Sequence, residues 1–377
     1  MNFYNVNNLL KKIPDAQYYI IVYGRGNGKT YSCLKYGIEN YFKSDEKEQM
    51  AYIRRMEVDF KGKRGAQLFA NHEQLVEKLS NGKYNRIIYY GGRWFMAYQD
   101  PETKAIIRNE RPFAFAFSLA SMTHDKSISY NDITTTIFDE FIQDESTGFY
   151  LANECQTYFN TISTIIRNRD NVKNFLCGNT ISAWNLYTRE FNLTNFKNMK
   201  PGDIDLYTYG QGKDIMKVAV EMCPDPRTIN DKGEKESKPS DKYFQFDNPS
   251  MQMIKGTNSQ WQLGSYPHLL YKYKTTDIKF IYFIKFDEEI FQCEIINKEG
   301  NLFTYIHRKT TPIKDENKEL IFSLDYDIRI NHRRCINRPI NNLTQKIWWF
   351  FKNDLVFYQD NEIGSKITNY INYCNKI

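Results

Sequence analysis

Short apolar runs rich in β-branched and aromatic residues alternate with helix-like segments over the first 200 residues of the chain. These runs predict strands at residues 18–23, 50–54, 113–119, 134–138 and 174–177, and a hairpin at 86–98 around Gly91-Gly92. Helices are predicted as far as Phe42 and at 66–80 and 152–166. Strands that alternate with helices in this way predict an α/β fold with a mostly parallel sheet sandwiched by helices.

The pattern changes after about residue 200. A polar, charged segment with proline and glycine at 231–242 is typical of a linker or a long exposed loop. Beyond it, strands are predicted at 269–274, 279–286, 290–296 and 302–307, and helices near 342–356 and 364–374. The sequence therefore predicts a first domain at 1–200, a linker at 201–244 and a smaller α+β domain at 245–377.

Composition limits the class of protein. A chain of 377 residues exceeds one comfortable core, which favours two domains, and no stretch approaches the roughly 18–20 apolar residues of a membrane helix. The N-terminus has no signal-peptide pattern, so we expect a soluble cytoplasmic protein without membrane association. None of the seven cysteines forms a Cys-x-x-Cys pair, which predicts reduced structural thiols. The net charge of +6 permits nucleic-acid binding without demonstrating it.

A glycine-rich turn follows the first predicted strand and precedes a predicted helix. It reads Gly24-Arg25-Gly26-Asn27-Gly28-Lys29-Thr30. In this setting the backbone N–H groups and the helix N-terminus face a phosphate, Lys29 reaches the β- and γ-phosphates, and Thr30 binds Mg²⁺. The turn therefore predicts an ATP-binding P-loop, although Tyr23 stands where the usual first glycine is expected. A glycine-rich β-turn before a helix is the alternative.

A second motif supports the first. Residues 134–138 are an apolar strand that ends in Asp139-Glu140, about 110 residues after the P-loop. Asp139 is predicted to bind Mg²⁺ through water, and Glu140 to polarise the attacking water. Asn179 ends the next strand and is predicted to sense the γ-phosphate or hold the water. The alternatives are a solvated carboxylate at a strand end for Glu140 and a turn-forming Gly-Asn pair for Asn179.

These motifs resemble those of the DNA-packaging ATPases of phi29-like phages. The similarity is carried by the P-loop with its internal arginine, by residues 136–142, and by residues 166–172 followed by 180–182. It implies an ASCE-type P-loop ATPase and a C-terminal domain resembling the ribonuclease H-like nuclease of large terminases, without its acidic metal cluster. It also implies that Arg167 is an arginine finger acting in a neighbouring subunit and that Lys126 is a second trans-acting basic residue.

The resemblance further implies a set of partners. The family's motor is a homopentameric ring that docks on a phage portal and procapsid through a structural packaging RNA. It moves double-stranded DNA into the capsid in the host cytoplasm.

A DNA motor grips its substrate without reading sequence, so phosphate contacts should dominate. A flexible basic segment after the second strand supplies the candidates, which are Arg54, Arg55, Lys61, Lys63 and Arg64. A solvated basic loop is an equal alternative. In the second domain Arg329, Arg333 and Arg334 cluster beside His332 and are candidates for binding RNA or the portal.

Two rival functions remain open. A terminase-like motor with an active nuclease would need converging carboxylates that bind two metal ions. The second domain offers two groups of acidic residues. Asp287, Glu288 and Glu289 look like a turn, and the other group is Asp325 and Asp327. A non-motor switch would use ATP only to change its affinity for a partner. Glu140 argues against a switch, which does not need a catalytic base.

Overall fold

The computed structural model describes residues 3–121, 130–143, 150–181, 183, 185–224 and 266–375. The chain divides into two compact units, Met1–Trp261 and Gln262–Ile377. Among the helices of the described ranges, none has the length and apolar character needed to cross a membrane.

A large, mostly parallel sheet forms the frame of the first unit. Its strands are β1 (Tyr18–Val22), β2 (Gln49–Arg54), β3 (Arg86–Tyr90), β4 (Arg93–Gln99), β5 (Ile106–Arg108), β6 (Ala114–Ser118), β7 (Ile133–Asp139), β8 (Lys173–Gly178), β9 (Ile204–Tyr209) and β10 (Met216–Met222). They lie in the order β3-β4-β6-β2-β7-β8-β1-β10-β9, with β5 paired to β4. The six strands from β6 to β10 in this order are parallel. The predicted α/β fold is confirmed.

The central strands are buried along most of their length. All five residues of β1 are buried, as expected for a parallel strand covered on both faces. The helices of this unit are α1 (Val6–Lys12), α2 (Lys29–Lys43), α3 (Lys63–Gln67), α4 (Glu73–Leu79), α5 (Glu154–Ile166) and α6 (Leu186–Glu190). Since β1, β7 and β8 are parallel neighbours, the chain segments that follow their carboxyl ends meet at one edge of the sheet.

The structure differs from the predicted linker at 201–244. Strand β10 pairs in parallel with β1, and β9 pairs with β10, so residues as far as Met222 belong to the first sheet. The last five residues of β10 are buried because this strand lies beside β1 within the sheet. The polar segment 231–242 lies outside the described residues. The single helix predicted at 66–80 is replaced by α3 and α4 with a short 3-10 turn before α4.

The second unit is a smaller sheet with two helices. Its strands are β11 (Ile278–Phe286), β12 (Glu289–Lys298), β13 (Asn301–Arg308), β14 (Ile321–Ser323), β15 (His332–Arg333) and β16 (Val356–Tyr358), in the order β15-β14-β11-β12-β13-β16. Strands β11 to β13 form an antiparallel meander, and β14 and β15 continue the sheet in parallel. Helices α7 (Asn342–Lys352) and α8 (Asn361–Cys374) complete the described part. The strand predicted at 269–274 is not formed.

Candidate functional site

The predicted phosphate-binding turn joins the end of β1 to the start of α2. Gly26 and Gly28 have φ of +76° and +91°, a region that glycine enters without strain, and Gly28 caps the helix. Tyr23 does not have a positive φ, so the turn does not need glycine there. Its side chain is buried and its N–H donates to the carbonyl of Gly178. The departure from the usual motif is therefore accommodated in the backbone.

Lys29 projects from the first turn of α2 into the loop. Its ammonium donates to the carbonyls of Tyr23 at 2.9 Å and Gly24 at 3.0 Å, and lies 3.4 Å from the Asn179 amide oxygen. The residue is buried, and this burial lowers the pKa of Lys29. The structure thus brings together Lys29 and Asn179, which lie 150 positions apart in the chain.

Asp139 at the end of β7 faces the first turn of α2. The Thr30 hydroxyl donates to one carboxylate oxygen of Asp139 at 2.9 Å, and the Tyr52 hydroxyl donates to the other at 2.7 Å. A hydroxyl and a carboxylate side by side at a phosphate loop are the donor set that Mg²⁺ takes in P-loop proteins. Tyr52 was not predicted as part of the site, because the sequence does not reveal that β2 lies beside β7.

Glu140 follows Asp139 in a strained turn. Its φ is +56°, and its side chain is about half exposed, at 55%. The guanidinium of Arg54 lies 2.7 Å from the Glu140 carboxylate and 3.5 Å from that of Asp139. This contact follows from strand register, since Ile53 of β2 pairs with Phe138 of β7 and brings the next residues of both strands together.

A cleft of about 400 Å³ unites these groups. It is lined by Arg25, Gly26, Asn27, Gly28, Lys29, Thr30, Tyr31, Asp139, Glu140, Cys177, Gly178 and Asn179. Apart from Gly26 and its two chain neighbours, no residue has an atom within 4 Å of the position that a Cβ at Gly26 would occupy, so the loop leaves room for a close ligand. Within the described residues the buried Asn27 side-chain amide has no hydrogen-bond partner. Both observations fit a phosphate-bearing nucleotide with Mg²⁺.

The predicted DNA contacts divide into two groups. Arg54 is engaged with Asp139, Glu140 and Asp59, and Arg55 is buried against Glu154. Both guanidinium groups are committed to carboxylates within the protein, which argues against the predicted DNA contacts of these two residues. Apart from Asp59, their carboxylate partners lie 85 to 99 positions away in the chain, so the sequence alone did not disclose them. In contrast, Lys61, Lys63 and Arg64 are exposed and stay candidates.

Of the two predicted trans-acting residues, Arg167 and Lys126, only Arg167 lies within the described part of the chain. Arg167 is exposed at the C-cap of α5, where its backbone has φ of +49° and its N–H donates to the Ser163 carbonyl. Lys126 lies outside the described residues. The guanidinium of the neighbouring Arg169 donates hydrogen bonds to backbone carbonyls.

Among the acidic residues considered for a nuclease site, Glu289 and Asp327 are paired with cations. Asp287 and Glu288 both have positive φ and form the two-residue turn between β11 and β12. The buried Lys366 lies 2.8 Å from Glu289. Arg329 donates to Asp327 and lowers the pKa of that carboxyl group.

The basic cluster of the second unit is partly committed to internal contacts. Arg329 pairs with Asp327 as described, and Arg334 lies over the exposed ring of Tyr326 at 4.0 Å. Arg333 donates to the backbone carbonyl of His332, which is itself buried. Arg333 and Arg334 are both half-buried, so part of each remains accessible.

Residues 1–201 match the family described as "Podovirus DNA encapsidation protein (Gp16)". The chain is similar to the DNA packaging protein of Bacillus phage phi29, with 28% identity over 197 residues covering 51% of this chain and 50% of that protein. It is 30% identical to the DNA packaging protein of Bacillus phage B103 over 179 residues, covering 46% of this chain and 47% of the other. The match thus spans about half the length of each of these curated relatives.

The similarity to one solved structure extends over the whole chain. "The Phi-28 gp11 DNA packaging Motor" aligns with a TM-score of 0.51 and 17% identity, covering 98% of both chains. At this level of identity the likeness concerns the fold.

Proposed function

Because the chain belongs to the podovirus DNA encapsidation protein (Gp16) family, we propose that it is an ATP-hydrolysing motor that moves double-stranded DNA into a phage procapsid. One observation carries the proposal. Lys29, Thr30, Asp139 and Glu140 line a single cleft, and the Thr30 hydroxyl lies 2.9 Å from the Asp139 carboxylate. This arrangement joins a phosphate-binding turn to the carboxylates that hydrolysis requires.

Mg²⁺-bound ATP supplies the phosphoanhydride bond whose hydrolysis drives the motor. Lys29 provides a positive charge at the centre of the loop, and the turn around Gly26 and Gly28 presents backbone N–H groups. Thr30 and Asp139 are the residues that hold the metal ion. Glu140 accepts a proton from the attacking water, or orients that water. Asn179 lies close enough to Lys29 to sense the γ-phosphate or to hold the water.

The motor acts as a homo-oligomeric ring, which we propose to be a pentamer. Arg167 of one subunit completes the site of its neighbour, with Lys126 as a second trans-acting residue. The exposed position of Arg167 at the end of α5 supports this role. An arginine finger that stabilises charge on the transferred phosphoryl group raises the rate by about 10³–10⁵.

The proposed partners are double-stranded DNA, the phage portal and procapsid, and a structural packaging RNA. Lys61, Lys63 and Arg64 are exposed on the segment that follows β2 and contact DNA phosphates. Arg333 and Arg334 of the second unit contact RNA or the portal. The protein works in the host cytoplasm during phage assembly.

A subunit-mixing experiment tests hydrolysis and the trans-acting role together. Arg167→Ala subunits keep Lys29 and Thr30 but fail to stimulate a neighbour, whereas Glu140→Gln subunits have a dead site and an intact Arg167. Mixing the two inactive variants should restore part of the ATPase activity, and the restored rate should rise with protein concentration because the site forms on assembly. Arg189→Ala, which alters an exposed arginine of α6, is the matched control and should keep wild-type activity.

Two outcomes count against the proposal. A wild-type protein that neither hydrolyses ATP nor protects DNA from nuclease in the presence of procapsids and packaging RNA would refute the motor. Mixtures that stay inactive although cross-linking demonstrates co-assembly would assign Arg167 to its own subunit's site or to the fold.

A further inference from the structure

Arg55 uses every N–H group of its guanidinium. Its Nε and one terminal nitrogen bind the two carboxylate oxygens of Glu154 at 2.7 and 2.8 Å. The other donors reach the carbonyls of Glu140 at 3.2 Å and Phe141 at 3.0 Å, and the side-chain oxygen of Gln143 at 2.7 Å. A guanidinium has five donors in a rigid planar fork, and here all five are matched.

The partner carboxylate is equally engaged. Glu154 is the first residue of α5, and its side chain is fully buried. Beyond Arg55, it accepts hydrogen bonds from the Tyr187 hydroxyl at 2.9 Å and the Leu151 N–H at 2.8 Å. Arg55 therefore ties the N-terminal end of α5 to the backbone turn that follows β7.

A second arginine fastens the other ends of the same two elements. Arg169 follows α5, and its guanidinium donates only to backbone carbonyls in the contacts described. These belong to Ile165 and Ile166 at the end of α5 and to Tyr130, Asn131 and Ile133 at the start of β7, at distances from 2.5 to 3.3 Å. Strand β7 and helix α5 are thus joined by one arginine at each end.

We propose that Arg55 is a positioning residue for ATP hydrolysis. It holds the turn that carries Glu140. Together with Arg169 it joins β7 and α5 into one rigid body, which fixes the position of Glu140 relative to Arg167. The inference rests on the proposed ATPase function. Its basis is geometric: Glu140 immediately follows β7 and Arg167 immediately follows α5.

The turn at Glu140 needs such support. A non-glycine residue with φ of +56° is strained, and it persists only where its surroundings hold it. The Glu140 side chain is half exposed and is itself held by Arg54 alone among the described ion pairs. Its backbone carbonyl is the atom that Arg55 holds. Small displacements of a reacting group reduce the rate strongly, so a released turn should slow turnover without weakening nucleotide binding.

Arg55→Lys separates positioning from charge compensation. Lysine keeps the charge opposite Glu154, but one ammonium cannot replace a fork that reaches Glu154 and two carbonyls together. We expect kcat for ATP hydrolysis to fall by about 10- to 100-fold, the scale of a misplaced reacting group, with KM for ATP within about twofold of the wild type. The matched control is Arg308→Lys, which alters an arginine bridging Glu289 and Glu362 in the second unit and should leave kcat unchanged.

The neutral pair Arg55→Gln/Glu154→Gln covers the case in which the single variant fails to fold. It removes both buried charges and should show the same loss of kcat. A folded variant with wild-type kcat would overturn the positioning role. Loss of the fold in both variants would overturn it as well, because the Arg55–Glu154 ion pair would then serve stability alone. The proposed function is judged separately, because its failure would appear as a wild type without ATPase activity or a Glu140→Gln variant with full activity.

Discussion

Replacing Tyr52 by phenylalanine removes one hydroxyl from the side of the cleft that is proposed to hold Mg²⁺. That hydroxyl donates to Asp139 at 2.7 Å, while the ring packs edge-on against Trp94 and Phe60 with centroids 6.2 and 6.1 Å away. Phenylalanine keeps the ring and its packing. The substitution therefore tests the hydrogen bond to Asp139 with little change elsewhere.

The size of the effect follows from the partners that remain. Loss of an outer hydrogen bond to a metal-binding group costs about 10- to 100-fold in metal affinity. Asp139 keeps its bond from Thr30 at 2.9 Å and its ion pair with Arg54 at 3.5 Å, so the lower end of this range applies. We expect the Mg²⁺ concentration for half-maximal ATPase activity to rise about tenfold, which corresponds to about 1.4 kcal/mol.

The assay is the initial rate of phosphate release at fixed, saturating ATP as free Mg²⁺ is varied. Tyr84→Phe is the control, because the Tyr84 hydroxyl also donates to a carboxylate, that of Glu46, at 3.0 Å, and neither residue lines the cleft. The control should have the wild-type requirement for Mg²⁺. A Tyr52→Phe variant with a half-saturation within twofold of the wild type would refute the role of Tyr52 in holding Asp139.

Four further variants test other parts of the protein. Glu140→Gln should bind ATP normally and lose at least about 100-fold in turnover, the scale of a lost general base, and near-normal phosphate release would contradict its assignment. We expect no cleavage when the wild type is incubated with plasmid and Mn²⁺, whereas cleavage that Asp325→Ala abolishes would demonstrate an active nuclease. Lys63→Ala should weaken DNA binding and reduce the magnitude of the slope of log affinity against log salt concentration by about one. An unchanged slope would exclude a phosphate contact. The hydrogen bond that His307 donates to the Glu294 carboxylate raises the pKa of His307. Protonated His307 therefore stabilises the fold below about pH 6.5, and this contribution is lost as pH rises through the folded-state pKa. The difference in melting temperature between the wild type and His307→Asn should accordingly shrink from pH 6 to pH 8.5, and a constant difference would contradict the ion pair.

The sequence determined those features that depend on neighbouring residues in the chain. The turn from Gly24 to Thr30 is a local structure, because its glycines, Lys29 and the start of α2 are consecutive. Buried strands such as β1 and β7 were predicted from their continuous apolar or β-branched character. The fold class followed from the alternation of such strands with helices, and strand order was not needed for it.

The tertiary structure decided which strands are neighbours and therefore which side chains meet. Arg54 and Arg55 lie in a basic segment that suggested DNA contacts, yet the register of β2 against β7 directs them to carboxylates 85 to 99 positions away. The extent of the first unit was decided in the same way, since β10 joins it only by pairing with β1. A cation binds the acceptors that the fold brings within reach, and strand pairing depends on backbone groups that every residue carries. The local sequence therefore predicts that a strand or a charge exists, and the packed fold determines its partner.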